Sequence, residues 1–135
     1  MNPGRMNVID FITIASVGDA SDFGDMTAST ADSAGLSSPT RGIIGGGSAP
    51  GNVNVVEFIT IASASNTTDF GDLTEARRYL SGCSSSTRGV FYSGMQPNAS
   101  EVIDFITIAS TGNATDFGDP GTTPPGNSNG NGGLS

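Results

Sequence analysis

One nineteen-residue phrase occurs three times in the chain, and its spacing restricts the available folds more than any other feature. Residues 7–25 read NVIDFITIASVGDASDFGD, residues 54–72 read NVVEFITIASASNTTDFGD, and residues 101–119 read EVIDFITIASTGNATDFGD. The period is 47 residues, so Phe11, Phe58 and Phe105 correspond, as do Asp22, Asp69 and Asp116. Self-similarity at a period of roughly 20–50 residues marks tandem supersecondary units, each of which needs a neighbour to bury its faces. The chain divides into a lead-in (1–6), a repeat domain (7–119, with copies at 7–53, 54–100 and a partial one at 101–119) and a tail (120–135). The tail, PGTTPPGNSNGNGGLS, has the composition of a flexible linker.

Within a copy the local signals are those of strands. Residues 8–16 are rich in Ile, Val, Phe and Thr, which suit a pleated surface. Val8, Asp10, Ile12 and Ile14 point to one side, and Ile9, Phe11, Thr13 and Ala15 to the other. Both faces are apolar, which predicts a strand covered on both sides. Residues 17–21 read as a turn, and residues 22–26 as a second, shorter strand anchored by Phe23. Alignment of the copies matches Leu36 with Cys83 and suggests a weak strand over 33–38 with position 36 facing inward. TRGIIGGG (40–47) and TRGVFYSG (87–94) are short apolar strands that end in glycines. TEARRY (74–79) is too short for a helix alone and is expected to be a loop or one turn. Four short strands per complete copy predict an all-β repeat.

Composition narrows the chemistry. Thirteen acidic residues stand against five arginines, with no Lys and no His, for a net charge of −8. Phosphate recognition and binding to anionic membranes both call for the opposite sign, so neither nucleic acid nor membrane is expected as a partner. The absence of His removes the commonest general base and transition-metal ligand. The single Cys83 has no disulfide partner in the chain and reads as a small buried residue. No apolar run approaches the roughly 20 residues of a membrane span, and the start of the chain lacks a signal peptide's apolar region. A soluble protein made in a cytoplasm is the expectation. Hydrophobic residues make up only 35% of the chain, thin for a self-sufficient core, so homo-oligomerisation is expected.

The carboxylate pairs Asp22/Asp25, Asp69/Asp72 and Asp116/Asp119 are weak calcium candidates. They lack the alternating ligands and closing Glu of a calcium loop, and Asp also favours turns and strand ends. Asp10, Glu57 and Asp104 lie inside the strong strand and need partners there, for which Arg41 and Arg88 are the candidates. Ser84, Ser85 and Ser86 have no nearby His or Lys base, and Gly45, Gly46 and Gly47 have no Lys after them to cradle phosphate. No enzyme activity, catalytic residue or cofactor is therefore expected.

The order of features in a copy resembles a kelch-type β-propeller blade. A glycine-ended strand (Gly45, Gly46, Gly47) comes first, then a strand with an aromatic (Phe58). A strand with an apolar anchor (Phe70, with Leu73) follows, and then an inter-blade arginine (Arg77). The chain departs from that pattern in having no Trp, in Ser93-Gly94 replacing the double glycine of the second copy, and in Thr30 as the counterpart of Arg77. A closer resemblance, over most of 7–119, is to repeats of the form NxIDFITIASxGNATDFGDLTxAR…CSSSTRGVFxGG in structural proteins of tailed phages, notably cyanophages of marine cyanobacteria. That resemblance implies a bacteriophage virion protein, on an appendage such as a tail fibre or on the capsid surface, working with other virion proteins. Two strands plus two sets of four amount to two and a half blades, fewer than the four to eight of a closed propeller. Completion by oligomerisation is expected, with a trimeric β-fibre as the rival arrangement. A receptor- or glycan-binding module of a virion or cell surface is the alternative function, with rim loops 46–53 and 93–100 carrying Tyr92 and Asn98.

Overall fold

The computed structural model describes residues 5–121, so the first four residues and the tail from 122 onward lie outside the described part. Every regular element in it is a β-strand, and all pairings are antiparallel. The first copy contributes a two-stranded hairpin of β1 (Met6–Phe11) and β2 (Ser21–Thr30). A four-stranded meander follows: β3 (Ala34–Ser37), β4 (Arg41–Gly45), β5 (Val55–Thr60) and β6 (Thr68–Asp72). A second meander holds β7 (Ser81–Ser84), β8 (Arg88–Tyr92), β11 (Ile103–Thr107) and β12 (Thr115–Gly118). Between β8 and β11 stands a small hairpin of β9 (Met95–Gln96) and β10 (Asn98–Ala99), where the sequence reading expected only loop.

The two meanders keep one register displaced by the sequence period. Ile44 faces Glu57 across β4–β5, and Phe91 faces Asp104 across β8–β11. The DFGD phrase encodes a β-bulge in each copy. Ile9 pairs with Gly24 and Asp10 with Asp22, which leaves Phe23 as the extra residue. Val56/Glu57 against Gly71/Asp69, and Ile103/Asp104 against Gly118/Asp116, leave out Phe70 and Phe117 in the same way. A bulge bends the strand and re-aims the extra side chain. Each extra Phe meets the Phe of the strong strand edge to face, with centroids 6.0, 6.0 and 5.9 Å apart for Phe11–Phe23, Phe58–Phe70 and Phe105–Phe117.

The core lies between the sheets. Leu36, Ile43, Val56, Phe70, Leu73, Leu80, Phe91, Ile106 and Ile108 form its buried apolar cluster. The inner strands β3 and β7 approach closely, so that a Cβ on Gly82 would come 3.1 Å from the Gly35 carbonyl oxygen. The weak strand with an inward position 36 is therefore present as β3, with Leu36 buried in the cluster. Cys83 is half-buried rather than buried. The strong strand departs from expectation in two ways. Its pairing ends at Phe11, Thr60 and Thr107, and each chain then turns, as in the bond from Ser16 N–H to the Thr13 carbonyl. Cover on both faces also depends on having a preceding sheet. Ile108 is 1% exposed, its counterpart Ile61 46%, and Ile14, with no sheet before it among the described residues, 94%.

Candidate functional site

The chemistry-bearing groups of this chain gather at the junctions between copies. Each junction is made of the same parts. The loop that follows the strong strand of one copy seats on the bulged outer strand of the copy before it. Asn66 accepts a hydrogen bond through Oδ1 from the Asp25 N–H (3.0 Å), and the Thr67 N–H donates to the Asp25 carbonyl (2.9 Å). One period on, Asn113 Oδ1 accepts from the Asp72 N–H (3.1 Å), and the Ala114 N–H donates to the Asp72 carbonyl (2.7 Å). The close approach is possible because the outer strand carries a glycine after its bulge. Gly24 (φ 151°) and Gly71 (φ 147°) hold left-handed conformations, and a Cβ there would lie 2.8 Å from the Asn66 nitrogen and 2.6 Å from the Gly112 carbonyl carbon.

A second repeated contact solves the problem of the buried acids. Glu57 Oε1 accepts from both the N–H and the hydroxyl of Thr27. Thirty residues separate those partners, as they do Asp104 and Thr74, where Oδ2 accepts from the Thr74 N–H (3.2 Å) and Oδ1 from its hydroxyl (2.6 Å). The partner is thus the threonine just past DFGD in the previous copy, not an arginine on the neighbouring strand. Asp10, with no previous copy among the described residues, is exposed.

Arg77 makes the second junction different from the first. It is wholly buried, beside an equally buried Asp104 at 3.1 Å (Nη1 to Oδ2), with Glu75 at 3.6 Å. Among the described residues neither Nη1 nor Nε has a hydrogen-bond acceptor, while Nη2 donates to the Phe91 carbonyl (3.3 Å). The attraction to Asp104 is therefore mainly coulombic, and it acts where solvent screening is weakest. Glu75 in turn accepts from the Ser100 hydroxyl.

Arg41 and Arg88 are not the acids' partners: the ion pairs among the described residues all involve Arg77. Instead each lies over the ring of the strong-strand Phe beside it, Arg41 at 4.4 Å from Phe58 and Arg88 at 4.5 Å from Phe105. The alternation of the sheet explains this: in the unbroken β4–β5 and β8–β11 ladders Arg41 shares a face with Phe58 and Arg88 with Phe105, while Glu57 and Asp104 point to the other face, toward the previous copy. Arg41 also donates to the Ile108 carbonyl across the junction (2.8 Å). Arg88 stands at the far end of the array and is exposed. Replacing Arg41 with Ala should therefore lower the unfolding free energy by about 2 kcal/mol. Arg88→Ala should cost only about 0.5–1 kcal/mol, the stacking alone. Urea denaturation of the two variants checks the asymmetry; equal losses would show that the carbonyl contact contributes nothing.

The calcium candidates serve the main chain. Asp25 and Asp72 present N–H and carbonyl groups to the next copy, and Asp116 Oδ1 accepts from the Gly118 N–H (2.8 Å). Asp22 and Asp69 stand in register with Asp10 and Glu57, and Asp119 is exposed past the end of β12. Among the described residues no three His, Cys, Asp or Glu side chains gather as a metal site would require. Rim loops 46–53 and 93–100 are joined by Asn52, whose Nδ2 donates to the Met95 carbonyl (3.0 Å). Comparison with known proteins adds no assignment, since no protein-family model and no curated protein matches the chain.

Proposed function

We propose that this chain is a non-enzymatic structural component of a tailed-phage virion, carried on an appendage, tail fibre or capsid surface. On this reading it assembles through its β repeats with further copies of itself and with other virion proteins. Its two meanders are kelch-like blades, and the β1–β2 hairpin is half of another. Ten strands of this kind need partners before a propeller closes, and a trimeric β-fibre is the rival assembly. The resemblance of the repeats to phage structural repeats supports the reading. The observation that carries it is the contrast between buried junctions and open ends. Phe23 and Phe70, each covered by a following copy, are 8% and 2% exposed, while Phe117 at the end of the array is 59% exposed. Natural sheets cover or pair such surfaces.

The test is whether the chain co-purifies with particles. Antibody labelling and mass spectrometry of gradient-purified virions should find it at a fixed copy number per particle. Its absence from washed particles, with abundant chain left in the soluble lysate, would overturn the assignment.

A second reading, a receptor- or glycan-binding module, draws on the Asn52–Met95 bond, which holds the two rim loops side by side near Tyr92 and Asn98. A glycan array that stays blank with intact protein counts against it.

A further inference from the structure

We propose that copies of this chain join head to tail through the junction that the chain already makes twice with itself. Residues 18–20 of one copy would seat on the outer strand β12 and Asp119 of another. The proposal rests on the assembly part of the function proposed above and specifies the surface.

Among the described residues both halves of the junction are present and unfilled. At the C-terminal end, Gly118 keeps the left-handed conformation of its counterparts (φ 123°), yet a Cβ on it would meet none of the described residues within 4 Å. The same glycine in the first two copies is pressed against the next copy's loop. At the N-terminal end, Gly18-Asp19-Ala20 correspond to Gly112-Asn113-Ala114, the loop that fills the Gly71 socket, and all three are exposed. By the internal geometry, Asp19 would accept from the Asp119 N–H, and the Ala20 N–H would donate to the Asp119 carbonyl. Arg88 supplies a third contact. Arg41 bonds the Ile108 carbonyl, and Arg88 corresponds to Arg41 one period on while Ile14 corresponds to Ile108 two periods back, so Arg88 would donate to the Ile14 carbonyl of the incoming copy. That docking would cover Ile12 and Ile14, now 63% and 94% exposed, as Ile106 and Ile108 are covered inside the chain at 2% and 1%.

The sequence also weakens this junction relative to the internal ones. Asp19 replaces Asn66 and Asn113, which brings a carboxylate beside Asp119. Gly121 stands where Thr27 and Thr74 would bond the strong-strand acid, so Asp10 finds no hydroxyl. The incoming β1–β2 hairpin covers only the outer half of the sheet it meets. Association is therefore reversible and dependent on concentration, and being heterologous it gives a ring if the rotation closes and a filament if it does not.

Sedimentation equilibrium of the full chain over a wide concentration range tests this. The expected result is a mass that rises from monomer with concentration. Arg88→Ala and Ala20→Pro should each raise the dissociation constant by about tenfold or more. Asp19→Asn, which restores the internal residue, should lower it by about tenfold. Thermal unfolding of each variant confirms that the fold is kept, and Arg88→Ala and Asp19→Asn carry the test if Ala20→Pro unfolds. A monomer at every concentration overturns the proposal, as does an oligomer whose constant ignores Arg88→Ala and Asp19→Asn. Particle association is read separately, so a virion protein with an indifferent constant loses only this junction. A head-to-tail oligomer absent from virions loses only the virion assignment.

Discussion

Replacing Asp104 with Ala should destabilise the chain by about 3–5 kcal/mol, the usual effect of leaving one member of a buried ion pair alone. Arg77 and Asp104 are both wholly buried, and the carboxylate is the nearest negative charge to the guanidinium at 3.1 Å. Glu75, at 3.6 Å and partly exposed, cannot replace it at the same depth. The carboxylate also holds both groups of Thr74, so the substitution removes two hydrogen bonds from a loop with little regular structure. Arg77→Met should cost less, because Asp104 would keep its bonds to Thr74 and the methionine would fill much of the space. Combining Arg77→Met with Asp104→Asn should recover part of the loss of Asp104→Ala. Guanidinium denaturation at constant slope reads all three. A loss below about 1 kcal/mol for Asp104→Ala would mean that solvent reaches the pair.

Gly71→Ala should be the other severe variant, costing about 3 kcal/mol or more. The same change at Gly118 should cost only the roughly 1–2 kcal/mol of left-handed strain. Both glycines have positive φ, 147° and 123°, so strain is common to the two. Only at Gly71 would the new methyl meet main chain, the carbonyl of Gly112 and the nitrogen of Asn113, which no rotamer change relieves. Overpacking of that kind adds roughly 1–3 kcal/mol and forces the second and third copies apart. Hydrogen exchange should then show the amides of Gly112 and Ala114 losing protection, since their acceptors are the carbonyls of Phe70 and Asp72. Equal losses at the two positions would show that strain dominates.

Much of this fold is legible in the letters, because strands, turns and period are local properties. The all-β class, the inward position 36 and the short loop at 74–79 follow from alternation, glycine placement and comparison of copies, while the β9–β10 hairpin adds two strands to the four expected in the second copy. What is not legible is the register between the arginine strand and the strong strand. In the unbroken β4–β5 and β8–β11 ladders Ile44 faces Glu57 and Phe91 faces Asp104, which leaves Arg41 and Arg88 on the opposite face from the acids. Asp104 and Glu57 therefore meet threonines of the preceding copy and not the arginines of the adjacent strand. Thr27 and Thr74 did carry a signal, as hydroxyls repeated at one period two residues after DFGD. The site of Arg77 was marked only by the resemblance to an inter-blade arginine; composition gave no reason to bury a guanidinium. The exposure of β1 was invisible for another reason. Its letters match those of β5 and β11, yet among the described residues no sheet lies before it.

Copies that repeat one strand-and-bulge phrase raise a problem of address. Any of three hairpins could in principle dock on any of the bulged strands, and tandem domains of high mutual identity are prone to such exchange during folding. Arg77 has Thr30 as its counterpart, so only the hairpin bearing Asp104 with Arg77 before it satisfies the pair. Glu57 at the other junction is longer by one methylene and finds a threonine without a cation. The buried pair thus distinguishes the second junction from the first in charge as well as in shape.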